Sequence, residues 1–209
     1  MLKTIYLLRH GETEWNKEWR FQGQKDVELN TKGLEQAQRA SKKLKEIELD
    51  SVYSSDLKRA VKTAEIATSH HNIKIRESSL LREISFGNWE GLAYNDFSKE
   101  DGEHFNHWLE DPVKYPVPGG ESLSALQERI KDFVDSIISA EISCNILIVT
   151  HGGPIKAVIS RALNIDIKNS SSLVISPASL SIIQVYEKNF FLTLFNDVCH
   201  LKTNKDKKY

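Results

Sequence analysis

Four short stretches of this 209-residue chain place polar side chains that are costly to bury at the ends of regular elements: Arg9-His10-Gly11, Arg59, Glu83 and His151-Gly152. Their types define one chemistry. Two guanidinium forks hold the oxygens of a phosphoryl group, one of the two imidazoles attacks phosphorus, and the carboxyl group protonates the departing alkoxide. None of these residues signifies much alone, because a single histidine after a strand is commonly structural. The reading depends on their meeting in one place.

The flanking elements bring them together. Residues 5–8 are a short apolar run that stops at Arg9, as a strand buried on both faces does, and residues 145–150 read the same way before His151. Thr31 precedes Leu34, Ala37, Ala40, Leu44 and Ile47 at spacings of three and four, an amphipathic helix. Residues 50–53 form a brief strand, after which Ser54-Ser55 cap a helix starting near Asp56 and carrying Arg59 about one turn in. A short strand at 73–75 follows. Ser122 opens a helix with Leu123, Leu126, Ile130, Phe133, Val134, Ile137 and Ile138 on one stripe, and Pro154 suits the first turn of another. Strands at 181–186 and 190–195 flank a hairpin turn at Glu187-Lys188-Asn189. This alternation predicts an α/β three-layer sandwich, its central sheet mostly parallel and flanked by helices. In such sheets, groups that follow the strands gather in the crevice at the carboxyl edge.

Residues 84–120 break the pattern. They hold seven of the chain's eighteen aromatic residues and close with Pro112, Pro116, Pro118, Gly119 and Gly120, which predicts an irregular, partly helical lid packed on its own aromatic cluster. We expect one domain over 1–201 with this lid inserted, and a basic, flexible tail at 202–209.

Composition bounds the partners. With 28 Lys+Arg against 29 Asp+Glu, the net charge of -1 lacks the basic excess that nucleic-acid binding requires. No apolar run approaches a membrane span of about 20 residues, and the start lacks the pattern of a signal peptide. Cys144 and Cys199, without a CxxC, argue for a reducing cytoplasm rather than a disulfide framework or zinc ribbon. His104-Phe105-Asn106-His107 reads as a solvated helical face rather than a metal site, His70-His71 as a helix end, and His200 has no evident partner. Gly152-Gly153 is not a P-loop, since no Lys-Ser/Thr follows.

The run Leu8-Arg9-His10-Gly11-Glu12-Thr13-Glu14-Trp15-Asn16, then Arg20-Phe21-Gln22-Gly23, resembles the histidine phosphatase superfamily, which includes the cofactor-dependent phosphoglycerate mutases. Further landmarks follow in order at 29–33, 53–60, 81–87, 119–122 and 149–152, so the resemblance covers about residues 3–200. It implies a phosphoglycerate mutase-like fold in which His10 is transiently phosphorylated, Arg9, Arg59 and His151 surround the phosphoryl group, and Glu83 is acid and then base. Asn16, Gln22, Gly23 and Gly152 would complete the pocket. No cofactor and no metal are implied.

Within the family, the mutases often carry Ser or Thr where Gln22 stands, a longer insert after the acid, and a Lys at the position of Tyr94. This chain departs from all three, so the resemblance favours a phosphatase over a mutase or a non-catalytic phosphate-binding module, and places Tyr94 near the substrate. Residues 86–92, 108–112 and 118–122 are similar to α-ribazole phosphatases of cobalamin biosynthesis, and also to metal-independent phosphoserine phosphatases and broad-specificity phosphatases. The aromatic lid suits a bulky apolar leaving group such as that of α-ribazole 5'-phosphate. The partner is thus a small-molecule phosphate monoester, and a homodimer is compatible with the sequence.

Overall fold

The computed structural model describes residues 2–140 and 144–202, with the Tyr94 side chain outside that description. The tail expected at 202–209 lies, beyond Lys202, outside the described residues.

Six strands form one sheet in the order β3-β2-β4-β1-β5-β6. They are β1 (Leu2–Arg9), β2 (Ser51–Ser55), β3 (Ile75–Ser78), β4 (Asn145–Thr150), β5 (Leu180–Tyr186) and β6 (Asn189–Asp197). The first four run parallel, while β5 is antiparallel to β1 and β6 to β5. Alternation along the inner strands divides the core. Ile5, Leu7, Tyr53, Ile146, Ile148, Ile183 and Val185 face α5 (Leu123–Ala140) and α6 (Gly152–Ala162). Leu8, Val52, Leu147, Val149 and Leu180 face α2 (Thr31–Leu44) and α3 (Lys58–Ala67). A one-residue slip would exchange these sets, so the apolar pattern holds the register. The expected sandwich with its mostly parallel sheet is the observed architecture. α2 and α3 meet through buried small residues, Ala37, Ala40, Ser41, Ala60, Ala64 and Ala67, which let their backbones approach closely.

Three boundaries differ from the sequence reading, each because a tertiary contact outweighs a local signal. The third strand runs from Ile75 to Ser78, not over 73–75, since pairing of Val52 with Ile75 and Ser55 with Ser78 defines it; its exposed Arg76 and Glu77 carry no apolar alternation. α3 starts at Lys58 without a side-chain cap, and the serines expected to cap it instead end β2. The hairpin turn is Glu187-Lys188, with Glu187 in the left-handed region at φ 56°.

The lid is more regular than the sequence suggested. It contains α4 (Lys99–Glu110), capped by Ser98, whose hydroxyl accepts from the Asp101 N–H at 3.1 Å. Its neck closes by backbone bonds, Asn88 N–H to Pro118 O at 3.0 Å and Glu121 N–H to Ser85 O at 2.9 Å. Beyond the neck, Phe86, Trp89, Phe97, Phe105 and Trp108 pack around Phe21, with ring centroids 4.9–6.4 Å apart. Phe21 belongs to the segment just before Gln22-Gly23, so this cluster ties the lid to the segment that carries those two residues.

Trp89 sits at the centre of that cluster and is 0% exposed. Truncating it leaves a cavity that rigid neighbours cannot fill. Trp89→Ala should therefore cost about 3–5 kcal/mol in denaturant unfolding and depress turnover of every substrate alike. Phe97→Ala should behave the same way in kind, because Phe97 stacks on Phe21 and lies tilted against Phe105, as a packing residue of the cluster.

Candidate active site

Strand register assembles the site. β1 and β4 pair Arg9 with Thr150, so the next residues, His10 and His151, leave the sheet side by side with ring centroids 5.0 Å apart. The His10 N–H closes the step on Thr150 O at 2.9 Å. β2 lies on the other side of β4, which brings Ser55 Oγ to 2.8 Å from His151 Nε2. The serine that a local reading makes a helix cap is thus spent on orienting an imidazole.

His10 Nδ1 donates to Gly11 O at 2.7 Å, which puts the ring proton on Nδ1 and leaves Nε2 with its lone pair. A neutral imidazole in that tautomer is a nucleophile. His151 Nδ1 is buried with no partner among the described residues. When Ser55 donates to Nε2, the proton sits on Nδ1, and an anionic oxygen satisfies it.

The cations are held by backbone carbonyls. Arg59 is fully buried; one Nη donates to Gly23 O and the other to Lys25 O, both at 2.7 Å. Arg9 donates through Nη1 to Ile175 O at 2.5 Å. Both Nε–H groups are buried and unpartnered, and neither guanidinium forms an ion pair with a carboxylate among the described residues. Burial lowers both guanidinium pKa values, with nearby Glu83 opposing; that of Arg59 falls to about 10, so each remains charged at neutral pH. Desolvation pushes His10 and His151 well below the usual histidine range, and the neighbouring Arg59 and Arg9 push them further. The result is a buried pocket with two positive charges that no carboxylate bonds and two neutral imidazoles, complementary to a phosphoryl dianion.

Glu83 arrives from the segment after β3. Its Oε1 accepts from the backbone N–H groups of Gly153 at 2.9 Å and Ile84 at 3.0 Å. A Cβ on Gly153 would stand 2.3 Å from that oxygen, so only glycine admits the carboxylate there. Beside it, Gly152 opens α6, and a Cβ on it would lie 3.6 Å from Glu83 Oε2. The remaining expected pocket residues sit nearby. Gln22 is buried and its Oε1 accepts from Thr13 Oγ1 at 2.9 Å, while Asn16 Oδ1 accepts from the Thr13 N–H at 3.1 Å. Gly23 has φ +51°, and a Cβ on it would strike the Glu90 carboxylate at 2.0 Å. The Tyr94 side chain lies outside the described residues.

Sequence reasoning passed over several supports. Thr63 Oγ1 accepts from the Gly11 N–H at 3.0 Å and donates to Arg59 O at 2.7 Å, coupling the loop of His10 to the helix of Arg59. Glu90 Oε1 accepts from the Gln24 N–H at 2.9 Å and the Phe86 N–H at 3.1 Å, joining the pocket wall to the lid neck. Arg129 grips Glu121 bidentately at 2.6 and 2.8 Å and donates to Leu80 O and Glu83 O, holding the segment that carries Glu83. Spacing alone offers no signal for these. Their partners are 46–66 residues away in the chain, or in a neighbouring turn.

A cavity of about 370 Å³ opens beside the pocket, lined by Arg9, Glu83, Gly152, Gly153 and Lys156 from the body of the protein and by Phe86, Trp108 and Leu109 from the lid. Two lid aromatics therefore form cavity wall, while Trp89, Phe97 and Phe105 pack. His104 and His107, expected to be solvated, engage the Pro116 carbonyl at 3.0 Å and the Tyr115 ring at 5.1 Å. His200 also has a partner, the Ala178 carbonyl at 3.0 Å. Among the described residues, no group of three or more His, Cys, Asp or Glu is placed to hold a metal ion, and no helix is long and apolar enough to cross a membrane.

A fold with this strand order and this charged crevice defines a class before any single member. A family model described as histidine phosphatase superfamily (branch 1) matches residues 5–198, and the chain belongs to that superfamily. It is similar to phosphoserine phosphatase 1 of Hydrogenobacter thermophilus, with 32% identity over 201 residues covering 96% of this chain and 95% of that one. It also resembles the adenosylcobalamin/alpha-ribazole phosphatase of Escherichia coli, at 28% identity over 92% and 95% of the two chains. The solved structure of Bacillus stearothermophilus YhfR superposes with a TM-score of 0.90 at 35% identity, covering 96% of this chain and all of that one. By family and relatives the chain is a phosphomonoesterase.

The buried histidines make stability depend on pH. Their pKa values are lower folded than unfolded, so their contribution is complete above about pH 6.5 and is lost as pH falls, at up to about 1.4 kcal/mol per pH unit for each. Urea unfolding between pH 7 and 5 should show this loss, and His10→Asn should reduce the slope by one histidine's share.

Proposed function

We propose that this chain hydrolyses small phosphate monoesters through a phosphohistidine on His10. One observation supports this above all others. The unprotonated Nε2 of His10, two guanidiniums without carboxylate partners and the carboxylate of Glu83 meet at one sheet edge, an assembly that a binding protein does not need.

The chemistry follows from the residues. Arg9, Arg59 and His151 bind the phosphoryl oxygens, with Gln22, Asn16, Gly23 and Gly152 forming the surrounding wall. The Nε2 lone pair of His10 forms a P–N bond while the ester P–O bond breaks, and the leaving oxygen takes that electron pair together with the proton of Glu83. Water then attacks phosphorus and gives its proton to the Glu83 carboxylate. The P–N bond returns its electrons to Nε2, and phosphate departs. Charge that builds on the equatorial oxygens is met by fixed donors, so the clamp itself supplies the stabilisation.

Two substrates fit this reading. α-Ribazole 5'-phosphate, a substrate of cobalamin biosynthesis, is favoured by the apolar cavity wall of Phe86, Trp108 and Leu109 and by the similarity to the Escherichia coli enzyme. Phosphoserine is favoured by the similarity to the Hydrogenobacter thermophilus enzyme. A reducing cytoplasm suits Cys144 and Cys199, neither of which is in a disulfide.

Rapid quench with ³²P-labelled substrate should give acid-labile, base-stable label on the wild type and none on His10→Ala, whose turnover should be abolished; label on Ser or Asp would overturn the assignment. Glu83→Gln should lower kcat/KM for alkyl phosphates by about 10²- to 10⁴-fold but cost p-nitrophenyl phosphate far less, because its phenolate departs without a proton. Equal losses on both would remove Glu83 from the acid role.

A further inference from the structure

Lys156 lies one turn into α6, beyond Gly152 and Gly153, and lines the cavity on the side of Glu83 and Arg9. It has no hydrogen-bond or ion-pair partner among the described residues. The two charged groups that act on it are the nearby Glu83 and Arg9. Glu83 already accepts from two backbone N–H groups and serves the ester oxygen, and Arg9 repels. Burial lowers the ammonium pKa, with Glu83 opposing. A cation left half-desolvated and unpaired, in a cavity that Glu83 and the lid residues also line, is only partly compensated until a ligand brings a further negative charge.

We propose that Lys156 is a specificity-determining residue that binds an anionic group, a carboxylate, two to three carbons from the ester oxygen of the substrate. The inference rests on the phosphatase reading and narrows it to phosphomonoesters of hydroxy acids. The opposite wall, Phe86, Trp108 and Leu109, covers the carbon chain and keeps water from the ion pair, which strengthens it. The phosphoryl group draws on Arg9 and Arg59, the carboxylate on Lys156, so two anionic ends are held by separate cations with Glu83 between them. A neutral or cationic leaving group such as α-ribazole leaves Lys156 unpaired and forgoes that binding energy.

The test compares 3-phosphoglycerate with glycerol 3-phosphate, which share a skeleton and differ in a carboxylate against a hydroxymethyl group. Wild type should favour the carboxylate ester in kcat/KM by about tenfold or more at low salt, and added salt should shrink the preference. Lys156→Met keeps the apolar stem and removes the charge; it should reduce the ratio of the two kcat/KM values by about 10- to 100-fold. Lys156→Arg should retain most of the preference, which a merely structural lysine would not require. α-Ribazole 5'-phosphate should fall nearer glycerol 3-phosphate than 3-phosphoglycerate. A wild-type ratio near one, or an unchanged ratio in Lys156→Met, overturns the role of Lys156 while leaving the phosphatase reading intact. Absence of turnover and of phosphoenzyme with both esters overturns the phosphatase reading instead.

Discussion

Two guanidinium groups taken out of water without a carboxylate to pair with are the costly feature around which this protein is arranged. A buried charge is tolerated only when dipoles replace its hydration. Here the carbonyls of Gly23, Lys25 and Ile175 do so for Arg59 and Arg9. The arrangement leaves each Nε–H unanswered. On the proposed reading a phosphoryl dianion answers them, and the cost of burying the cations in folding is recovered as affinity for the group that reacts. The same field keeps His10 and His151 unprotonated, which is the state a nitrogen nucleophile needs.

Holding such a pocket open demands rigid supports on every side. Parallel pairing of β1 with β4 sets the two imidazoles in register, and β2 contributes Ser55 to orient one of them. Thr63 couples the loop of His10 to the helix of Arg59, and Glu90 couples the opposite wall to the lid. Glu83 stands on a segment with no strand of its own. Its place is fixed instead by Arg129, by the Thr150 hydroxyl donating to Leu81 O at 2.6 Å, and by the room that Gly153 leaves beside it.

The lid separates two tasks among residues of one kind. Trp89, Phe97 and Phe105 fill the space between α4 and Phe21, where edge-to-face and stacked rings hold the insertion as a unit. Phe86 and Trp108 take part in that packing and also wall the leaving-group cavity. Stability of the lid and shape of the cavity are therefore coupled. Lys156 faces this apolar wall from the body of the protein, which places discrimination by charge on α6 and discrimination by shape on the lid.

The residues proposed to carry the chemistry stood out in the sequence, because Arg9, His10, Arg59, Glu83 and His151 sit at fixed offsets from apolar runs and inside ordered motifs. The buried strands were legible for a related reason: a strand covered on both faces must be apolar through its middle, as residues 146–149 are. β3 was not, since an edge strand needs no apolar alternation and is defined by its neighbour. Of α4 only a helical face at 104–107 was legible, since its signal is a serine cap and three apolar residues, Phe105, Trp108 and Leu109, among charges. What only the tertiary structure decided is which groups meet: Ser55 on His151 as well as on the N–H of Leu57 where α3 begins, Arg129 on the carbonyl of Glu83, Gly153 against a carboxylate, Lys156 unpaired in the same cavity. Local sequence determines what a residue is able to do within a turn or two of its own backbone. Contacts between residues dozens of positions apart depend on strand order and register, which the whole core fixes together.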